Sequence, residues 1–203
     1  MAAYLLGSIP TGFWVGRAKG VDIRTVGSQN MGATNVFRTV GKGLGILVLL
    51  LDAFKGWAAV AWAAPLIWRT VSPGAAPGWW LPVVAGLGAI LGHNYTCWLG
   101  FKGGKGIATS AGVFLALVPL ALAIALGVWM LLFALTRYVS VASMAAAAML
   151  PVATWFSTRD PHLTAVAGVV AALAIYKHKT NLKRLLAGTE HRIELGHKKG
   201  ALP

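Results

Sequence analysis

Residues 107–136, IATSAGVFLALVPLALAIALGVWMLLFALT, run without one charged side chain. A helix that crosses a bilayer core needs about 20 apolar residues, so this run alone places the chain in a membrane. The composition agrees. Of 203 residues, 57% are hydrophobic and 11% are charged, and the mean hydropathy is +0.70; soluble domains carry about 25% charged residues. The fold class this implies is an all-α polytopic membrane protein, with a length that suits one compact bundle over residues 1–203. The opening MAAYLLGSIPTGFWVG has no basic region and no cleavage site, so it reads as a first membrane helix rather than a secretory leader.

The formal net charge is +13. The basic residues flank apolar runs instead of forming a soluble basic domain, which points to lipid headgroups and anionic substrates and away from nucleic acid. Cys97 is the only cysteine, so no intramolecular disulfide or cysteine-based metal cluster can form. Beside Trp98 it reads as a buried small hydrophobe.

The apolar runs predict spans near 2–16, 43–68, 79–98, 107–118, 119–137, 139–158 and 162–177, with Pro119 dividing the fourth from the fifth. Charge sets the count. Residues 17–42, Lys102 with Lys105, Arg137, and the segment from 177 onward hold 15 of the 18 Lys and Arg residues. The positive-inside rule assigns all four regions to the cytoplasm. Arg69 and Arg159 fall in the two outer loops. Only two short crossings between 107 and 137 satisfy this parity, which gives a seven-helix transmembrane bundle with its N-terminus out and its C-terminus cytoplasmic.

Polar groups at membrane depth are costly and mark function. Three segments gather them on the cytoplasmic side: VGSQNMGATNVFRTVGKG at 26–43, GHNYTCWLGFKGGKGIAT within 92–109, and YKHKTNLKRLLAGTE at 176–190. Each has a plainer alternative. GSQNMGATN suits an ordinary turn. KGGKG can cradle a phosphate with backbone N–H groups, but it is no Walker A loop, because Leu99 and Gly106 stand where Gly and Ser or Thr are needed. His178 and Asn181 share one helical face, which could equally belong to a basic interfacial helix ending at Gly188. Asp52 and Lys55, three apart, read as a buried structural pair.

The chain has five carboxylates, Asp22, Asp52, Asp160, Glu190 and Glu194. No spacing among them builds a paired-metal site, no His-x4-Asp pair occurs, and there is no Gly-x-Ser-x-Gly elbow. What remains is Gly, Lys, Arg, Asn, Ser and His, an inventory that binds and polarises phosphate.

Taken together, GSQNMGATNVFRTVGK, GHNY…FKGGKGIAT and YKHKTNLKRLLAGTE resemble the bacterial acyl-phosphate:glycerol-3-phosphate acyltransferases. The similarity covers nearly the whole chain, in order and spacing. The resemblance implies a metal-independent enzyme without cofactor that moves a fatty acyl group from acyl phosphate to the 1-hydroxyl of glycerol 3-phosphate. It gives lysophosphatidic acid and phosphate, the first acylation of phospholipid synthesis. By motif, Ser28 and Arg38 match the first-motif serine and arginine, and Lys105 with Gly103, Gly104 and Gly106 matches the phosphate loop. Ser143, His178 and Asn181 match positions used around substrate phosphate, and Glu190 a structural glutamate. The catalytic set it implies is Ser28, Arg38, Lys105, His178 and Asn181; Asn30, Asn35, Lys102, Gly103, Gly104, Gly106 and Ser143 would bind substrate. The setting it implies is a bacterial inner membrane with the site facing the cytoplasm. Oligomeric state is left open, with a monomer as the expectation.

Physically, acyl phosphate is an apolar tail on a dianionic head. A phosphate loop at the start of a short membrane helix suits such a head, with the helix N-terminus adding attraction. The other reading of a broken helix beside a basic loop is a carrier for a small organic phosphate, though no internal repeat supports it.

Overall fold

In the computed structural model, residues 1–76 and 78–193 are described. The regular elements among them are all helical: α1 Ala2–Ser8, α2 Thr11–Ala18, α3 Ala33–Thr39, α4 Lys42–Ala58, α5 Ala64–Val71, α6 Trp80–Asn94, α7 Ile107–Leu117, α8 Pro119–Thr136, α9 Val139–Thr158, α10 Pro161–Lys177 and α11 Lys179–Leu186.

The first expected span, 2–16, is two helices. Pro10 lacks an N–H and pushes the preceding residue out of the helical region; Ile9 accordingly has ψ 114. The Ile9 carbonyl, turned out of the helix, accepts from Thr11 N–H at 3.0 Å and from Lys55 Nζ at 2.8 Å. The second span is longer than expected. A π-helical turn, Ala59–Ala63, joins α4 to α5 in one helix of 30 residues, or roughly 45 Å. The widened turn precedes Pro65, whose ring would otherwise meet the carbonyl four residues back. Three helices are long and apolar enough to cross a membrane, Lys42–Val71, Pro119–Thr136 and Val139–Thr158, and Ile107–Leu117 and Pro161–Lys177 are shorter apolar helices. The chain is a multi-pass membrane protein.

Segment 26–43, which could have been a plain loop, contains α3. Its Asn35 is 2% exposed. The amide nitrogen donates to the carbonyls of Ile23 and Val26, and the amide oxygen accepts from Ser28 N–H. One side chain thus folds the loop back over a small core of Ile23, Met31, Val36 and Val48.

The main core lies among α6–α10, around Ile90, Val113, Phe114, Ala121 and Leu150. In lipid, close helix contact depends on small residues. Where α4 meets α7, a Cβ on Gly112 would collide with the Ala53 carbonyl, and one on Gly56 with that of Thr109. α8 packs on α9, and α9 on α10. The outward face of α8, with Met130, Leu131 and Leu135, stays exposed, as a lipid-facing surface should. Cys97 is half-buried rather than buried.

α11 stops as Gly188 turns to φ +69. The chain then runs back to the α8–α9 connection, where Ile193 N–H donates to the Arg137 carbonyl at 3.0 Å. Glu194, Lys198 and Lys199 lie outside the described residues.

Candidate active site

The phosphate-like loop is shaped by what lies beneath it. Gly104 N–H donates to the His93 carbonyl at 3.0 Å, and the His93 ring occupies the space that a Cβ on Gly104 would need. Gly106 enters α7 at φ +82, a left-handed conformation that favours glycine. Pressed onto the end of α6 in this way, the loop turns Lys105 inward.

Lys105 Nζ donates to Asn181 Oδ1 on α11. Asn181 Nδ2 in turn donates to Glu190 Oε1 at 2.7 Å. The same carboxylate accepts from Ser140 Oγ of α9 at 2.9 Å and from Arg184 Nε at 2.7 Å. From α3, Arg38 Nη2 donates to the His191 carbonyl at 2.9 Å, while its Nε is buried without a partner. His178, at the end of α10, is 3% exposed. Its Nδ1 lies 2.8 Å from the Ala174 carbonyl; a carbonyl only accepts, so Nδ1 carries the proton and Nε2 is left for a ligand.

Charge and burial oppose one another here. Burial lowers the Lys105 ammonium to about 8, against the attraction of Glu190 and with the help of Arg184, Arg38 and Lys177. Burial and the Lys105 charge lower His178 to about 4, so the imidazole is neutral near pH 7. Burial likewise lowers Arg38. Burial pushes Glu190 up, but hydrogen bonds from Asn181, Arg184 and Ser140 outweigh it and hold the carboxyl below its usual range. The cations are thus crowded and under-neutralised, which is what an anion relieves.

These groups form one end of a cavity of about 470 Å³ whose other walls are Ile46, Leu49, Leu126, Trp129 and Phe133. Of the residues singled out in the sequence, Asn30, Asn35, Arg38, Lys105, Gly106, Ser143, His178, Asn181 and the structural Glu190 line it. Ser28, Lys102, Gly103 and Gly104 do not. Ser28 is tied to Asn35 through its backbone, Lys102 is exposed, and the two glycines rest on α6. Ser140, Asp52 and Trp129 belong to the wall and were not anticipated there. Ser140 had a signal, being three residues before Ser143 and so on its face of α9. Asp52 had none, because α4 offers no hint of what crosses it. Among the described residues no three His, Cys, Asp or Glu side chains gather to hold a metal.

A cavity with a cationic end and an aliphatic end suits a charged lipid. The family described as glycerol-3-phosphate acyltransferase matches residues 1–188. The chain belongs to the glycerol-3-phosphate acyltransferase family. One such acyltransferase, from Synechococcus sp. (strain JA-3-3Ab), is 53% identical over 95% of this chain and 91% of its own. Another, from Fusobacterium nucleatum subsp. nucleatum, is 44% identical over 94% of each. Among solved structures, PlsY (YgiH), an integral membrane glycerol 3-phosphate acyltransferase crystallised in its glycerol 3-phosphate form, superposes with a TM-score of 0.83. It is 41% identical, with 95% of this chain and 92% of that one covered. Its lysophosphatidic acid form gives 0.80. Membership of this acyltransferase family makes the chain an enzyme of phospholipid synthesis.

Proposed function

We propose that this enzyme transfers a fatty acyl group from acyl phosphate to the 1-hydroxyl of glycerol 3-phosphate, releasing lysophosphatidic acid and inorganic phosphate. The observation that carries this is the cavity itself, which joins Arg38, Lys105, His178 and Asn181 to Ile46, Leu49, Leu126 and Phe133 within one space. Acyl phosphate needs both ends at once. Its head would be held by Lys105 and the loop that starts α7, with the acyl chain along α8. Arg38, His178 and Asn181 would hold the acceptor phosphate, assisted by Asn30 and Asn35; Glu190 keeps Asn181 and Arg184 in place rather than touching substrate.

In this mechanism the acceptor oxygen attacks the acyl carbon, the acyl–oxygen bond to phosphate breaks, and phosphate leaves with the bonding pair. The hydroxyl proton goes to a substrate phosphate, whose second pKa is about 6. Ser28 lies off the cavity wall, so an orienting role for it would act through Asn35, whose amide oxygen accepts from the Ser28 N–H. Fixed cations stabilise the charge that develops on the leaving phosphate, in place of a metal ion.

The topology proposed is seven crossings, with α1 and α2 sharing the first, and one domain from end to end. Trp68 packs edge-on against Trp80 and Trp79 lies tilted against His162, with centroids 5.8 and 5.2 Å apart. These contacts gather the α5–α6 and α9–α10 connections at one face. Tryptophans favour the membrane interface, and the basic site segments would then face the cytoplasm of a bacterial inner membrane.

The test is turnover by the purified protein in chelator, with acyl phosphate, acyl-CoA and acyl carrier protein thioester offered separately as donors. Phosphate release and a monoacylated product from acyl phosphate alone are expected. Turnover from a thioester instead, or strict dependence on added Mg²⁺, would refute the reading. Binding of glycerol 3-phosphate with no turnover from any donor would favour a carrier.

A further inference from the structure

The large cavity does not end at Trp129 and Ser143. Both residues also line a second chamber of about 60 Å³ between α7, α8, α9 and α10, and Ile107, Ala111 and Leu126 are common to the two spaces. At the junction Trp129 Nε1 donates to Ser143 Oγ across 3.2 Å. The indole also stacks on Phe133, with centroids 4.9 Å apart, so it is fixed from two sides. Beyond this junction the walls are almost entirely carbon. Ala147, Ala171, Phe114, Leu150 and Val170 line it further along α7, α9 and α10. The space exists because side chains such as these alanines stop at Cβ, where a leucine would fill it.

We infer that this chamber receives the methyl end of the acyl group and sets the longest chain the enzyme uses well. The inference rests on the acyl-transfer reading of the site, but not on which donor carries the acyl group. With the acyl carbon held near Lys105, a chain following Leu126 and Trp129 is delivered to the junction. A space with so few polar partners holds methylene groups better than water.

A competing route leaves the cavity sideways between α4 and α8, where Ile46, Leu49 and Leu126 are 51%, 46% and 44% exposed. A chain taking that route would end in the bilayer, and its length would not register. A chain seated between the helices of the chamber does register length: each methylene it buries should change kcat/KM by roughly fourfold, and a chain too long to fit is penalised by packing.

The experiment uses the full-length protein with acyl donors graded from medium to long. A parallel series of 1-acyl-glycerol 3-phosphates serves as product inhibitors. Ala147→Leu and Ala171→Leu shorten the chamber; Leu150→Ala deepens it. The expected result is a loss of about tenfold or more in kcat/KM for long chains only in the first two. In Leu150→Ala the optimum should move toward longer chains. Inhibition constants for the product series should shift in the same sense. Equal losses at every chain length, or an unchanged preference in all three variants, would overturn the inference. Leu150→Ala guards against misfolding, because damage does not create a preference for longer substrates. If the wild type does not turn over acyl phosphate, the donor reading fails; the product-inhibition series still decides whether the chamber measures chain length.

Discussion

Lys55 Nζ lies 2.8 Å from Asp52 Oδ1, one turn away on α4, with the two side chains 4% and 2% exposed. Thr11 Oγ1 donates to the same carboxylate oxygen, His93 Nδ1 approaches it to 3.5 Å, and Lys55 also bonds the Ile9 carbonyl at the break between α1 and α2. The structural pair expected from the spacing is therefore the hub of three chain segments. Removing one buried partner strands the other charge, at a cost of about 3–5 kcal/mol, whereas replacing both by apolar residues can be near neutral. Lys55→Met should accordingly lower thermal stability far more than Asp52→Leu/Lys55→Met together. Melting in detergent measures this, and additive losses would refute the coupling.

Lys105 makes the alkaline limb. Its ammonium sits at about 8 in the free enzyme because of burial. Phosphate affinity, and with it kcat/KM, should fall as pH rises through 8. Bound phosphate favours the charged form, so the corresponding limb in kcat should lie higher. The stability effect has the opposite sign: an unfolded lysine binds more protons between about 8 and 10.4, so this group's contribution rises with pH across that window. Lys105→Arg should remove the limb near 8 from whatever activity remains. A limb that stays in place would assign it to another group.

A phosphate beside His178 would hold the imidazole protonated, yet in the free site burial and Lys105 lower it to about 4. Both hold if the substrate brings the charge that raises it. The Cε1 proton of His178 should titrate near 4 in the free enzyme by NMR and several tenths of a unit or more higher with glycerol 3-phosphate. Because the folded value lies below the unfolded one, this group weakens folding as pH falls from about 6.5 toward 4. An unchanged titration with ligand would place His178 away from the phosphate.

Glu190→Gln keeps the shape of the side chain and removes its charge. Asn181, Arg184 and Ser140 would each lose a charged partner, at about 1–3 kcal/mol in all for a group left under-satisfied. Glu190 is also the carboxylate that raises Lys105 against burial. The alkaline limb of kcat/KM should therefore move below 8 in this variant as its melting temperature drops. A lower melting temperature with an unmoved limb would mean Lys105 does not sense Glu190.

Topology is open to cysteine labelling. With Cys97 replaced by alanine, Arg69→Cys and Arg159→Cys should react with an impermeant thiol reagent outside intact cells, and Lys183→Cys should not. Labelling of Lys183→Cys from outside would invert or break the seven-crossing arrangement.

Much of the site was legible because its segments carry unusual local chemistry. Arg38, Lys105, His178 and Asn181 stood out as polar residues beside apolar runs, and the helical spacing of His178 and Asn181 already put them on one face. Ser28 and Lys102 stood out equally, yet neither lines the cavity. Nothing in a loop's composition says which of its side chains turns inward. That choice depends on Asn35 folding the first motif and on α6 supporting the glycines at 103 and 104.

The sequence by itself determined the helices, because an uncharged run in a bilayer must satisfy its backbone hydrogen bonds internally. It marked the break at Pro119 and the stop near Gly188 through proline and glycine, whose effects are local. Its five carboxylates against 18 Lys and Arg residues also set the expectation that a phosphate would meet cations. Only the tertiary structure decided that Lys105 reaches Glu190 through Asn181, that Asp52 gathers Thr11, Lys55 and His93, and that Trp129 stands between two cavities. These contacts join residues up to 76 positions apart. Helical periodicity says which face is polar, but close packing between helices decides which polar residues share it.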